Sequence, residues 1–188
     1  MNNTTPLAEV LVTYRLNLEP ATPPKTAVAN ATLRHIVANM NSGRACLLKA
    51  AAERALELTD GSIAGFSFEL MRSGDLSLIW AAAAGVNAGR LRGDVPLHNS
   101  PCALVRRDRR AHLFSGPARH YRWIEAFGPV SELLVMPVMD GYGHVCGAFW
   151  LFIQDTAVKL GRKDVMHLQS LLDNLKDVME VQRRSPMP

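Results

Sequence analysis

Residues 130–155 read VSELLVMPVMDGYGHVCGAFWLFIQD, and this stretch decides the fold. Two apolar runs, Val130–Asp140 and His144–Asp155, flank Gly141-Tyr142-Gly143. A glycine-rich turn between two such runs is the signature of a β-hairpin. Earlier in the chain, SIAGFSFELM (Ser62–Met71) and LSLIWAAAAG (Leu76–Gly85) flank the turn-forming cluster Arg72-Ser73-Gly74-Asp75. They read as a first hairpin.

Helical patterns lie outside and between the hairpins. ACLLKAAAERALELTD (Ala45–Asp60) is rich in Ala, Leu and Glu and stops at Asp60-Gly61. The chain closes with a helix expected from about Arg162 to Arg184. Its Val165, Leu168, Leu172, Leu175, Met179 and Gln182 alternate in steps of three and four, the spacing of a coiled-coil seam. Leu171 and Val178 widen that stripe, so the helix is expected to serve both its own core and a partner. Residues 86–128 form a long irregular region with helical pieces. In NSPCALVRRDRR (Asn99–Arg110), Ser100 can cap a helix and Pro101 takes a first helical position. ARHYRWIEAFG (Ala118–Gly128) is the other piece.

Toward the N-terminus, Leu33, Ile36, Val37 and Met40 have helical spacing, and Asn41-Ser42-Gly43 breaks or kinks that helix. Leu7–Leu18 can form a short helix, but Pro20, Pro23 and Pro24 forbid a regular one afterwards, and the segment reads as an appendage. The expected division is an N-terminal, partly irregular extension over 1–25, a linker helix over 26–44, one domain over 45–184, and a tail over 185–188. Helix, hairpin, helical insertion, hairpin, helix describes an α+β protein with a central antiparallel sheet of about five or six strands.

Composition excludes several function classes. The chain has 188 residues, 48% hydrophobic and 20% charged, which is ordinary globular usage. A chain of this length buries roughly 70% of its unfolded surface and needs no metal or disulfide to fold. Net charge is +4, with 17 acidic residues interspersed among 21 basic ones, so the bulk charge does not point to nucleic acid. Cys46, Cys102 and Cys146 stand far apart without a C-x-x-C, the usage of a reduced, intracellular protein. The start lacks a cationic stretch followed by an apolar one, so no signal peptide is read. LIWAAAAG and VCGAFWLFI are about half the roughly 20 residues that span a bilayer. The reading is a cytoplasmic protein with no membrane partner.

Residues from about 45 to 184 resemble the GAF domain family, in the version found beside bacterial histidine kinases and phytochrome-like sensors. The resemblance is carried by the hairpin SIAGFSFELMRSGDLSLIWAAAAG, the loop GDVPLHNSPCALV, the hairpin SELLVMPVMDGYGHVCGAFWLF and the closing helix after GRKD. It covers roughly three-quarters of the chain. It implies a GAF/PAS-like sandwich, with terminal helices on one face of the sheet and the insertion 86–128 folded over the other to enclose a small-molecule pocket. Such domains act as sensory or regulatory modules for cyclic nucleotides, tetrapyrroles, haem or small metabolites, and commonly dimerise through terminal helices. A minority reduce free methionine sulfoxide.

The residue constellations refine this. Cys102, behind Ser100-Pro101 at a helix start and near arginines, is placed to have a lowered pKa. Free cysteine is nevertheless among the most buried residue types, and a pocket wall is the favoured reading. Bilin attachment typically has histidine close behind the cysteine, whereas Ala103-Leu104-Val105 follow here. His98, His112 and His120 can share a cavity, but their spacing matches no metal pattern, and His98 is the best pocket candidate. The run Arg106-Arg107-Asp108-Arg109-Arg110 reads as a solvated face, an anion-binding contribution ranking second and nucleic acid third. In Ala118–Gly128, Arg119, Tyr121 and Trp123 combine aromatic walls with cationic donors, while Tyr121, Ile124 and Phe127 fall at the spacing of a helix packed on the sheet.

The expectation is a small-molecule-binding sensory domain with a ligand between the sheet and residues 86–128. Trp80, His98, Ser100, Cys102, Phe114, Arg119, Tyr121 and Trp123 form the expected site. No catalytic motif or metal site is read, haem or tetrapyrrole is not favoured as cofactor, and the expected partners are a second copy through the terminal helices and a separate signalling protein. The alternatives are a thiol reductase of free methionine sulfoxide using Cys102 with Cys146, and a ligand-free dimerisation module.

Overall fold

The computed structural model describes residues 4–17, 43–72, 75–90, 94–140 and 142–184. The linker helix expected before residue 43, the Ser73-Gly74 turn and the tail after 184 lie outside the described residues. The elements are α1 (Leu7–Val10), α2 (Arg44–Thr59), β1 (Ile63–Arg72), β2 (Asp75–Gly85), β3 (Asp94–Pro96), α3 (Cys102–Asp108), β4 (His112–Ser115), β5 (Glu132–Met139), β6 (Val145–Ile153) and α4 (Arg162–Arg184), with short 3₁₀ turns between them.

Six antiparallel strands form one sheet in the order β3-β2-β1-β6-β5-β4. Both hairpins are present: β1 pairs β2 from Ile63↔Gly85 to Arg72↔Asp75, and β5 pairs β6 from Glu132↔Ile153 to Met139↔Val145. They meet where β1 pairs β6, from Ile63↔Phe152 to Phe68↔Gly147. The first hairpin thus lies beside the last strand, a crossover that no local signal announces. The two edge strands, β3 and β4, come from the insertion.

Because strand side chains alternate faces, the sheet carries two cores. On one face Ala64, Phe66, Leu134, Met136, Phe149, Leu151 and Ile153 meet α2 and α4. Helix α2 is closely embedded: Leu47, Leu48, Ala51, Ala52 and Ala55 are buried, and small alanines let it sit near the strands. The opposite face carries Ile63, Leu78, Leu133, Val135, Ala148, Trp150 and Phe152, covered by the insertion. At Gly65 a Cβ would collide with the Trp150 ring and the Ala82 carbonyl; glycine there lets the indole lie across β1.

Three expectations are corrected. Residues 4–17 are no appendage: Val10 is buried in the insertion-side core and Leu16 in the helix-side core. The short helix expected over Leu7–Leu18 is two pieces, α1 and a 3₁₀ turn over Thr13–Asn17, because Leu11 bridges the edge strand at Phe114 and Val12 N–H donates to the Leu113 carbonyl. Ala118–Gly128 is two 3₁₀ turns, Pro117–Arg119 and Arg122–Phe127, rather than one α-helix, yet it still buries Tyr121, Ile124 and Phe127. In α4, Leu168, Leu171, Leu172 and Leu175 are buried in the helix-side core beside α2, the share of the stripe that serves this chain's own core.

Candidate functional site

The insertion crosses its face of the sheet in three steps. A 3₁₀ turn, Leu97–Asn99, follows β3; α3 then lies over β5 and β6; the turns after β4 bring Tyr121, Ile124 and Phe127 down onto the strands. The start of α3 follows from Ser100-Pro101: the Ser100 hydroxyl accepts the Cys102 N–H at 3.2 Å. Its end comes two residues before the expected Arg110, at Asp108, where Arg109 turns left-handed (φ 54°) and donates its N–H to the Val105 carbonyl.

Between this cover and the sheet edge lies a groove of about 550 Å³. Leu76, Leu97 and Ala103 form its apolar wall, and His98, Arg106 and Arg107 its polar wall. Arg106 also reaches inward, its Nε 2.9 Å from a Glu69 carboxylate oxygen. Arg107 forks onto Asp108, and the guanidinium holds that carboxyl below its ordinary range. A second groove of about 520 Å³ lies between Lys49 and Glu53 of α2 and the stretch Ala81–Gly85 of β2.

Glu69 leads to a polar patch beneath α3. Ser67 precedes it by two residues on the same face of β1 and is opposite Ala148. The Ser67 hydroxyl is buried without a hydrogen-bond partner, as is the Trp150 indole N–H. Ser67 lies close enough to Cys102 to favour its thiolate, although it makes no hydrogen bond of normal geometry. Leaving a buried donor or acceptor unmatched costs about 1–3 kcal/mol. Burial dominates the thiol: it pushes Cys102 up to about 11, and Cys146 is raised for the same reason. Both shifts work against the thiolate form, which is the nucleophile.

The expected site residues separate into groups. Trp80 joins Trp123 (ring centroids 5.9 Å apart) and Trp150 (5.1 Å, edge-on) in one aromatic cluster. Trp123 also donates its indole N–H to the Asn99 carbonyl, pinning the turn that carries His98. Ser100 and Cys102 sit together at the start of α3. Phe114 and Tyr121 stack edge-on at 5.9 Å and are buried; burial lifts the Tyr121 hydroxyl to about 12. Arg119 turns elsewhere, donating to the Ser115 and Gly116 carbonyls.

The three histidines do not converge. His98 lines the groove, and His120 packs edge-on against Tyr121 with Nδ1 at the Thr5 carbonyl. His112 is buried, with Nδ1 at Thr13 Oγ1 (3.2 Å) and Nε2 2.9 Å from Asp108 but out of line with its carboxylate. Among the described residues no group of three or more histidine, cysteine or acidic side chains could hold a metal ion, and no helix is long and apolar enough to cross a membrane.

Sequence reasoning missed Ser67, Glu69 and Trp150. Alternation along Ile63–Glu69 and Ala148–Phe152 carries the signal, since it puts all three on the face of Ile63 and Phe152. Arg106, read as part of a solvated face, is half exposed and yet anchors Glu69.

No protein-family model matches the sequence, and no curated protein matches it. Solved structures do. The GAF domain of a phosphoenolpyruvate-protein phosphotransferase from Acinetobacter superposes with a TM-score of 0.62 at 16% identity, over 88% of this chain and 99% of that one. The free methionine-R-sulfoxide reductase of Neisseria meningitidis gives 0.66 at 19% identity, over 89% and 97%. The phycoerythrobilin-bound GAF domain of a cyanobacterial phytochrome gives 0.63 at 12%, over 87% and 98%. The chain has the GAF fold.

Proposed function

We propose that this GAF-fold protein is a sensory or regulatory domain that binds a small molecule between the sheet and residues 86–128. The groove beside α3 carries this reading. It is of ligand size, and five of its six lining residues belong to the insertion that the fold lays over the sheet. Arg106 links its wall to Glu69 in the interior, so a ligand in the groove can act on how α3 sits. The bound state would pass through α2 and α4 to a second copy and to a separate signalling protein in the cytoplasm. Such coupling is limited to the difference in ligand affinity between two arrangements, typically 1–3 kcal/mol. The shared fold with a methionine sulfoxide reductase supports the enzyme alternative, but the raised Cys102 and Cys146 thiols speak against it here.

Native mass spectrometry of the purified protein tests the proposal, reporting subunit number and any retained compound together. The expected result is a small-molecule adduct that survives in Cys102→Ala and disappears in Ala103→Trp, which fills the groove. A protein that retains nothing, and whose Tm no metabolite mixture raises, would instead be the ligand-free dimerisation module.

A further inference from the structure

The groove beside α3 is built from two kinds of side chain. Ala103, Arg106 and Arg107 are three and four residues apart along α3, so one stripe of that helix lines the groove. Cys102, Leu104 and Val105 belong to the insertion-side core instead. Leu76 of β2 and Leu97-His98, just after β3, complete the lining. Three apolar side chains thus share the groove with two guanidiniums and an imidazole, and among the described residues no acidic side chain lines it.

Both arginines are held without being exhausted. Glu69 meets Arg106 at Nε, and Asp108 takes Nε and one terminal nitrogen of Arg107. A guanidinium carries five N–H donors, so each arginine keeps terminal N–H groups beyond those its carboxylate engages. The run Arg106–Arg110 sets four arginines against Asp108, and Glu69 adds one more carboxylate. Positive charge stays in modest excess, which suits a ligand with one negative charge better than one with several. A carboxylate is the planar group that a guanidinium fork matches with two parallel hydrogen bonds. Arg106 is half exposed and Arg107 exposed, and an ion pair at such positions is weak on its own. Apolar surface covered on the two leucines and Ala103 has to supply the rest of the affinity.

We propose that the groove takes a small amphipathic monoanion, with one carboxylate on the remaining N–H groups of Arg106 and Arg107 and an apolar body against Leu76, Leu97 and Ala103. The inference rests on the binding-domain reading above and adds the ligand's class.

The test is nuclear magnetic resonance on the ¹⁵N-labelled full chain, titrated with 3-phenylpropionate and three relatives. 3-Phenylpropionamide keeps the apolar body without the charge, acetate keeps the charge without the body, and phenyl phosphate carries close to two negative charges near neutral pH. 3-Phenylpropionate should shift the amide signals of Leu97–Asn99 and Ala103–Arg107 saturably, and bind at least about tenfold tighter than each relative. Arg107→Gln should weaken that binding about tenfold. Arg107→Lys, which keeps the charge and lacks the fork, should weaken it less. The double variant Glu69→Gln with Arg106→Gln, which strands no charge in the interior, should also weaken it about tenfold, and Ala103→Trp should abolish it. Equal or tighter binding of the amide at the same signals overturns the anion class and leaves the binding-domain reading standing. Acetate or phenyl phosphate binding as tightly as 3-phenylpropionate overturns the amphipathic monoanion, and binding unchanged by Arg107→Gln overturns the arginine assignment. If no probe moves any signal of residues 86–128, the proposal falls. The binding-domain reading falls with it only when native mass spectrometry also finds nothing retained.

Discussion

Arg15 and Glu132, 117 residues apart, form an ion pair at 2.5 Å, and the Glu132 side chain is fully buried. The other Glu132 oxygen accepts the Leu160 N–H at 2.9 Å, just before α4, while Arg15 also donates to the Leu160 carbonyl. One carboxylate thus ties the N-terminal segment, the start of β5 and the approach to α4 together. Removing one partner of a buried pair leaves a charge without its counter-ion. Arg15→Ala should therefore destabilise the protein by about 2 kcal/mol, the loss being moderated by Lys159, 3.6 Å from the same oxygen. Lys159→Ala, at a half-exposed position, should cost less than about 1 kcal/mol. Urea denaturation of both variants checks the order; equal losses would contradict the anchoring role.

His112 sets a pH dependence. Burial lowers its folded-state pKa below the ordinary 6.5, outweighing the pull of Asp108. The unfolded chain therefore takes up this proton more readily than the folded one, and stability rises with pH through that window. Its contribution is complete above about pH 6.5 and is lost as pH falls toward 5, with a slope of at most about 1.4 kcal/mol per unit. Asp108, also lowered, acts only below its ordinary 3.8 and does not enter this range. In His112→Asn the slope between pH 7 and 5 should shrink; a slope unchanged by that substitution would place the effect elsewhere.

Cys102 should be the slow thiol. It is buried with its pKa pushed up to about 11, whereas Cys46 is exposed on α2. At pH 8 iodoacetamide should modify Cys46 first, with Cys102 following only on unfolding, as peptide mass mapping over time would show. Cys102→Ala should cost about 1–2 kcal/mol through lost packing. Rapid alkylation of Cys102 in the folded protein would restore the reductase alternative.

The closing helix offers a sharper contrast. Leu175 is buried in the helix-side core, so Leu175→Asp should unfold the protein, at a cost above about 4 kcal/mol, rather than yield a folded monomer. Circular dichroism with sedimentation separates the two outcomes. A well-folded monomer would return Leu175 to a seam between copies.

Much of the fold was legible because its signals are local. The Val130–Asp155 hairpin, the Ser62–Gly85 hairpin, the helix stopping at Asp60 and the long closing helix each follow from turn residues and periodicity. The site was less legible. The sequence places Trp80, Arg119 and Trp123 around one expected pocket; in the structure Trp80 and Trp123 are in ring contact, and Arg119 turns to the Ser115 and Gly116 carbonyls. Arg106 looked like one more solvated arginine, because nothing near it in sequence reveals Glu69, 37 residues earlier.

The amino-acid sequence by itself determined the strands, the helices and the α+β class, since period-two and helical patterns, glycine turns and helix stops act over a few residues. Only the tertiary structure decided that β1 pairs β6, that residues 4–17 belong to both cores, that Leu168, Leu171, Leu172 and Leu175 pack into the helix-side core, and that Arg106 meets Glu69. Those outcomes depend on burying apolar surface and matching polar groups between segments far apart in the chain, and such pairings are settled by the whole packed molecule rather than by any one stretch of it.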